Sequence, residues 1–393
     1  MKVLQINSVC GRGSTGKIAV DLYNLLEEQG ESCIIAYGRG EPLKDIKTIK
    51  IGNSLNNYYH YYKTKIFDEH GFASKKSTEN FIKEIKKYNP DVIHLHNIHG
   101  YYLNIEILFN YLRESNKPVI WTLHDCWPFT GHCCYFDYIN CEKWQDSCYN
   151  CEQKNEYPSS ILFDKSRVNY EKKRRIFTSL DDLTIVTPSN WLAELTKKSF
   201  LKKYNIYVIN NGINTEIFKF TKSNFRKNNK LEDKIILLGV ANVWDYRKGL
   251  KYFLELEKIL DKKYKIVLVG LDKKTEKNIS KNILVINHTN SQKELAEIYS
   301  AADIFINPTL EDNYPTTNLE ALACNTKVIT FNTGGCMETV KNSSSKVLNK
   351  KTLEELYKSI IELSNENTKF YSDEKYDKNI RFKKYIDLYK KCI

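Results

Sequence analysis

Apolar residues in this chain gather in short unbroken runs. MKVLQI, ESCIIAYG, DVIHLH, PVIWTLH and LTIVTPS punctuate the first half, each rich in Val and Ile and separated by helical or loop stretches. Buried parallel strands read as continuous apolar runs, because helices cover both of their faces. The same grammar restarts with KIILLGVAN, YKIVLVGL, NILVINHT, ADIFINP and KVITFNT. Two alternating blocks of this kind predict two doubly wound α/β domains. The polar stretch FKFTKSNFRKNNKLEDK, residues 218–234, lies between them and reads as the linker. The tail RFKKYIDLYKKC reads as a terminal helix with Phe382, Tyr385, Ile386 and Tyr389 on one face. The expected domains are therefore 1–217, with a cysteine-rich insertion at about 126–158, then 235–372, and a helix at 373–393 that packs back on the first domain.

The length of 393 residues suits two cores of ordinary size. No apolar run approaches the ~20 residues of a membrane span. The opening MKVLQINSV turns polar too soon for a secretion signal and reads as a first strand. The expected location is the cytoplasm, with the inner membrane face as a place for peripheral contact. Net charge is +12, which suits an anionic ligand or membrane surface. No RNA-binding or zinc-finger pattern accompanies it, so nucleic acid is not an expected partner. Six of the eleven cysteines crowd between Cys126 and Cys151. In a reducing compartment such crowding favours metal over disulfides.

Ligands of open parallel sheets sit beyond the carboxyl ends of the strands. After the first strand comes VCGRGSTGKIAV, in which Gly11, Gly13 and Gly16 spell a dinucleotide fingerprint and Gly11, Gly16 and Lys17 most of a P-loop. Ile18 stands where a P-loop needs Ser or Thr for Mg²⁺. The second strand ends in Ala36-Tyr37-Gly38-Arg39, with no acid for a ribose, although Arg39 would suit a 2′-phosphate and keeps an NADP enzyme open. The plainer reading is a turn that brings strand and helix close, with free N–H groups offered to phosphates held mainly elsewhere.

The second half carries more chemistry. ADIFINP ends at Glu311-Asp312-Asn313, and Pro315 and Thr316 open a helix bearing Glu320. A carboxylate there can accept two ribose hydroxyls while the helix start faces phosphate. Arg247 and Lys248 follow the strand KIILLG and can neutralise a diphosphate without metal. In this the sequence resembles the retaining nucleotide-sugar glycosyltransferases of family 4, above all those of polysaccharide and capsule assembly. The resemblance runs in order through the glycine loop, HLHNIHGYYLN, TLHDCWPFTGHC, VTPSNWLAELTKKS, VINNGINTEIF, RKGL, EDNYPTTNLEALAC and TGG.

That resemblance implies the GT-B fold, two Rossmann-like domains facing a central cleft. Arg247 and Lys248 would hold the donor pyrophosphate and stabilise the leaving nucleoside diphosphate. Glu320 would bind the ribose. Glu311 or Asp312, with the backbone of Asn313, Tyr314, Pro315 and Thr316, would line the donor sugar; the family's spacing of seven intervening residues joins Asp312 to Glu320. Gly13 and Gly16 would approach the donor phosphates. His124 would meet the donor sugar or reacting centre, with His96, His99 and Asp125 on the acceptor side, which would be a glycan or a lipid-linked acceptor. No cofactor is needed for that catalysis. Histidines merely packed at strand ends, or a metal on His96, His99 and His124, are the alternatives. Cys133, Cys141, Cys148 and Cys151, spaced C-x7-C-x6-C-x2-C, read as a structural zinc set, against free thiols or a redox pair. Asn325, where the family commonly has Gly, reads as a helix C-terminal end. The rival functions are a phosphorylase, an epimerase or other nucleotide-sugar enzyme, an NADP enzyme, and a non-catalytic nucleotide- or glycan-binding protein.

Overall fold

The computed structural model describes residues 1–341, 345–366 and 376–393. They form two units, Met1–Asn210 with Phe382–Ile393, and Asn211–Arg381.

The first unit is built on a seven-stranded parallel sheet: β1 (Lys2–Val9), β2 (Ser32–Arg39), β3 (Thr48–Lys50), β4 (Val92–Leu95), β5 (Val119–Thr122), β6 (Thr184–Thr187) and β7 (Asn205–Val208). Their spatial order is β3-β2-β1-β4-β5-β6-β7. The interior strands β4, β5 and β6 are buried at every position, as their unbroken apolar runs require. Helices cover both faces. One face packs Phe109, Trp121, Trp127 and Phe177 together. The other packs Leu22 and Leu26 of the helix Gly13–Glu28 against Phe382, Tyr385, Ile386 and Tyr389 of the terminal helix Lys378–Cys392. Tyr389 O–H donates to His94 Nδ1 at 2.6 Å, and His94 Nε2 meets Thr122 Oγ1 at 2.8 Å. The cysteine-rich insertion has little regular structure. It is anchored by Phe129, Phe136 and Trp144, the last two stacked with centroids 4.9 Å apart.

The second unit holds six parallel strands: β8 (Ile235–Val240), β9 (Tyr264–Val269), β10 (Leu284–Ile286), β11 (Ile304–Asn307), β12 (Lys327–Phe331) and β13 (Lys346–Leu348), in the order β10-β9-β8-β11-β12-β13. Both sheets thus have the doubly wound order in which the third, second and first strands lie side by side and the fourth pairs with the first.

The expected linker at residues 218–234 belongs to the second unit instead. Phe218 and Leu231 are buried in its core, and Arg226 donates to the Ala301 and Lys234 carbonyls and pairs with Asp303 at 2.6 Å. Few apolar anchors inside a polar stretch suffice to dock it, so composition alone misplaced the boundary, which falls at Asn210/Asn211. The expected boundary at 372/373 lies outside the described residues. The edge strands β3, β7 and β13 had no counterpart in the apolar pattern. An edge strand has one neighbour and a wetter face, and needs no continuous apolar run: β7 has no buried residue at all.

Candidate active site

In each sheet the winding reverses where the first strand pairs with the fourth, at β1/β4 and at β8/β11. Loops leaving such a switch point diverge and open a crevice within the unit. The chemistry-bearing residues flank these two points.

In the second unit, β8 leads into a 3-10 turn, Tyr246–Lys248, started by the Asp245 carboxylate, which accepts the Lys248 N–H at 3.0 Å. The turn is tied to the loop after β11 by Leu310 N–H donating to the Arg247 carbonyl at 2.8 Å. Gly249 makes this possible: its φ is +71°, and a Cβ there would lie 2.2 Å from the Pro308 carbonyl oxygen. The tie brings Lys248 Nζ to 2.6 Å from Asp312 Oδ2, a half-buried ion pair. Arg247 Nε lies 3.6 Å from Asp245 Oδ2. Asp312 Oδ1 also accepts the Asn313 N–H. Glu311 is buried, and its carbonyl accepts from the Thr309 hydroxyl. Asp312 thus presents its carboxylate to Lys248, and Asp245 to Arg247.

Pro315 precedes the helix Thr316–Ala323, whose start has no side-chain cap and no acid in its first turn. Its orphan N–H groups keep their positive character for an anion. Asn318 braces it, accepting from Asn307 at 2.9 Å and donating to Thr339 at 2.8 Å. Glu320 is held by the Tyr299 phenol, which donates to Oε2 at 3.1 Å. Burial and the carboxylate together push the Tyr299 hydroxyl far above its ordinary pKa, so it remains a donor. The helix ends at Asn325 with φ +63°, the left-handed end expected there.

In the first unit, the helix Gly13–Glu28 also starts without a side-chain cap or an acid. A Cβ on Gly16 would sit 3.0 Å from Val9 Cγ2 and 3.1 Å from Gly11 N, so the glycine lets strand and helix approach. Asn7 spans the switch point: its Oδ1 accepts Asn97 N–H from the loop after β4. Three further side chains form a buried relay. Gln5 donates its amide to the Ala19 carbonyl at 3.0 Å and to Cys33 Sγ at 3.4 Å. Its oxygen is left to accept His96 Nε2–H at 3.0 Å. His96 Nδ1 then accepts from His124 Nε2–H at 3.1 Å, which assigns both tautomers. Burial lowers His124 to about 4 and His96 well below its ordinary value, so both are neutral. His99 Nε2 pairs with Asp125 Oδ2 at 3.0 Å, and Asp125 Oδ1 accepts Trp127 N–H. Burial works against the Asp125 charge, but His99 and these hydrogen bonds outweigh it and lower its pKa.

Sequence reasoning named most of these groups but missed their holders. Gln5, Asn7 and Tyr299 carry no motif; Gln5 alone left a trace, as a polar residue inside an apolar strand. Two expectations concern metal. His96, His99 and His124 do not converge: His96 faces His124, whereas His99 faces Asp125. Cys133, Cys141, Cys148 and Cys151 are free thiols lining one cavity together with His132. They do not close around a point. Among the described residues, the group whose ligand atoms all lie within 4.8 Å of one another is His99, Asp125 and Cys134, and there His99 and Asp125 already satisfy each other. Cys148 Sγ accepts the Gly131 N–H at 3.2 Å, and Cys133 interacts with Cys151.

Comparison with known proteins agrees with this architecture. Residues 16–217 match the model for Glycosyltransferase Family 4 and residues 220–383 that for glycosyl transferases group 1. The chain is 24% identical over 374 residues to the Escherichia coli (strain K12) protein bearing the name of a colanic acid biosynthesis glycosyl transferase, WcaC, covering 91% of this chain and 89% of that one. It is 28% identical over 220 residues to the Campylobacter jejuni N,N'-diacetylbacillosaminyl-diphospho-undecaprenol alpha-1,3-N-acetylgalactosaminyltransferase, covering 51% and 58%. Among solved structures, sucrose-phosphate synthase of Thermosynechococcus elongatus superposes with a TM-score of 0.73 at 15% identity, over 99% and 98% of the two chains. The Anabaena HepE complex with UDP-glucose gives 0.68 at 11% identity, over the whole of both chains. No helix among the described residues is long and apolar enough to cross a membrane.

Proposed function

The chain belongs to glycosyltransferase family 4, and on that premise we propose that it moves a sugar from a nucleoside-diphosphate sugar to a lipid-linked glycan, with retention, in cell-surface polysaccharide synthesis. The observation that carries the donor half is the Lys248–Asp312 pair at the β8/β11 switch point, with Arg247 on the same turn. When the sugar–phosphate bond breaks, negative charge grows on the departing diphosphate. Arg247 and Lys248 stabilise it as fixed cations, and the helix start from Asn313 to Thr316 adds its dipole. Glu320, oriented by Tyr299, accepts the ribose hydroxyls. Asp312, whose carboxylate pairs with Lys248, or Glu311 beside it takes the acidic role toward the donor sugar.

The acceptor oxygen attacks on the face from which the diphosphate leaves, and its proton passes to the departing phosphate oxygen. No separate base is then required. On the first unit, neutral His124, held by His96 and Gln5, offers a hydrogen bond to a sugar, and the uncapped helix start at Gly13 offers N–H groups to phosphate. The name of the Campylobacter relative supports a lipid-linked acceptor, and that of the Escherichia relative a polysaccharide role. A structural zinc on Cys133, Cys141, Cys148 and Cys151 would have no step in this chemistry; in protein purified without chelator, about one zinc per chain would support such a site and less than about a tenth of that would count against it.

A thermal-shift panel of UDP-, GDP- and ADP-sugars beside NADPH and ATP tests the reading. One nucleotide sugar should raise the melting temperature, and proton NMR of the product should show the donor's anomeric configuration. Stabilisation by NADPH alone, or an inverted product, would defeat it.

A further inference from the structure

The helix Ser166–Phe177 buries Ser166, Asn169, Tyr170, Lys173, Ile176 and Phe177. That spacing is a core-facing stripe, and a lysine only 1% exposed stands in it. Charged side chains are almost never fully buried unless they are paired. Asp68 favours the lysine's charge from a distance, but its carboxylate is committed elsewhere. Oδ1 accepts from His132 Nδ1 at 2.6 Å and Oδ2 accepts the Lys165 N–H at 2.8 Å. Lys173 Nζ instead donates to two main-chain carbonyls, Trp127 at 2.9 Å and Thr130 at 3.1 Å. It also lies 3.5 Å from the centroid of the Trp127 ring. Burial draws its pKa down to about 7. The clamp does not depend on that proton, because a neutral amine keeps two N–H groups for two carbonyls.

An apolar side chain of similar volume would fill the same space, and such replacements of buried ions are often neutral or stabilising. It could not hold the two carbonyls. They belong to the first residue of the 3-10 turn Trp127–Phe129 and to the residue just past its end. This turn follows Asp125 by one residue. Trp127 is gripped at its carbonyl and ring by Lys173, and its N–H is donated to Asp125 Oδ1 at 3.0 Å. The other carboxylate oxygen holds His99 Nε2 at 3.0 Å. The Trp127 and His99 rings lie with centroids 5.0 Å apart. His99 Nδ1 ends the row, 3.3 Å from the Tyr157 hydroxyl.

We propose that Lys173 is a positioning residue for the acceptor side: by clamping Trp127 it fixes the Asp125 carboxylate, and through it the tautomer and ring orientation of His99. It touches no substrate itself. The assignment rests on the acceptor reading of His99 and Asp125 above.

Nitrogen NMR of the full-length protein with labelled histidine tests it at pH 8, above the ordinary imidazole range. His99→Asn identifies the His99 signals. In wild type the two ring nitrogens should give the widely separated pair of one tautomer, with the proton on Nε2. Lys173→Met should draw the two signals together, and so should Asp125→Ala. Adding Lys173→Met to Asp125→Ala should change nothing more, because the hold runs through Asp125. Unchanged His99 signals in Lys173→Met, or changes that add in the double variant, overturn the proposal. Should Lys173→Met not fold, Lys173→Arg takes its place. It keeps the charge, but its flat, larger head cannot make the same contacts unless the turn moves, so unchanged His99 signals there overturn the proposal equally. Titration with UDP, GDP and ADP keeps this inference apart from the transferase reading. The nucleotide that wild type binds best should bind Lys173→Met equally well. A loss of about tenfold or more would mean general damage to the fold and would overturn a local role. No nucleotide binding by wild type, with His99 still coupled to Lys173, would remove the transferase reading and leave the clamp.

Discussion

At Lys248, a 2.6 Å ion pair with Asp312 holds a cation where the proposed donor's diphosphate would be met. The pair is half-buried, so its net contribution to stability is modest, while its effect on a transition state that gains charge is larger. Lys248→Ala and Arg247→Ala should each lower kcat by ~10²-fold with little change in melting temperature. Asp312→Asn should fall with them, since its carboxylate holds Lys248, and Glu311→Gln should lose stability, since Glu311 is buried. Ordinary turnover in Asp312→Asn would contradict the role of the pair. A second prediction concerns pH. Burial lowers His60 and His94 to about 3 and His124 to about 4. The unfolded chain takes up these protons near pH 6.5 and the folded one does not. Stability is therefore complete above that pH and falls as pH drops through 6.5 toward 3–4, by about 1.4 kcal/mol per unit for each group. Urea midpoints at pH 7 and pH 5 would show the drop; equal midpoints would mean these histidines are not buried neutral. The acidic and basic residues were legible because motifs carry them. Their holders were not: a hydrogen bond from Tyr299 to Glu320 joins positions 21 apart, and local spacing holds no record of it.

Among the elements, the short turn Tyr246–Lys248 depends on the residue that ends it. Gly249→Ala would force a left-handed φ on alanine and drive Cβ into the Pro308 carbonyl. The turn would have to move, and Arg247 and Lys248 with it. Gly249→Ala should therefore match Lys248→Ala in lost kcat while also lowering the melting temperature, whereas Gly30→Ala, with nothing within 4 Å of its Cβ, should leave kcat unchanged. A Gly249→Ala variant with ordinary turnover would show that the tie to Leu310 does not position the cations. Central strands were legible from their apolar runs for the reason that makes them central, burial on both faces. The terminal helix was legible from its spacing: Phe382, Tyr385, Ile386 and Tyr389 are all buried in the first unit. The stretch 218–234 misled because charge and Asn dominate its composition while Phe218 and Leu231 decide where it packs.

On the scale of the molecule, two runs of one grammar gave two Rossmann-like units, and the structure adds which unit holds residues 382–393. Residues 382–393 complete the core of the first unit although the whole of the second unit precedes them. Tyr389 is fully buried and satisfies His94. Tyr389→Phe should cost about 1–3 kcal/mol, the usual toll of an unpaired buried group, and a chain stopped after Arg381 should lose the cooperative melting of its first unit; calorimetry that still showed it would contradict this. The arrangement also has a consequence in time. A ribosome adds about 5–20 residues per second, so the sheet face meant for the last helix emerges roughly ten to forty seconds before that helix does. During elongation the nascent first unit is a product with an open seam, available to chaperones and to neighbouring nascent chains until residues 382–393 have been made. Moving residues 382–393 ahead of Met1 in a permuted chain would let the unit close as it is made.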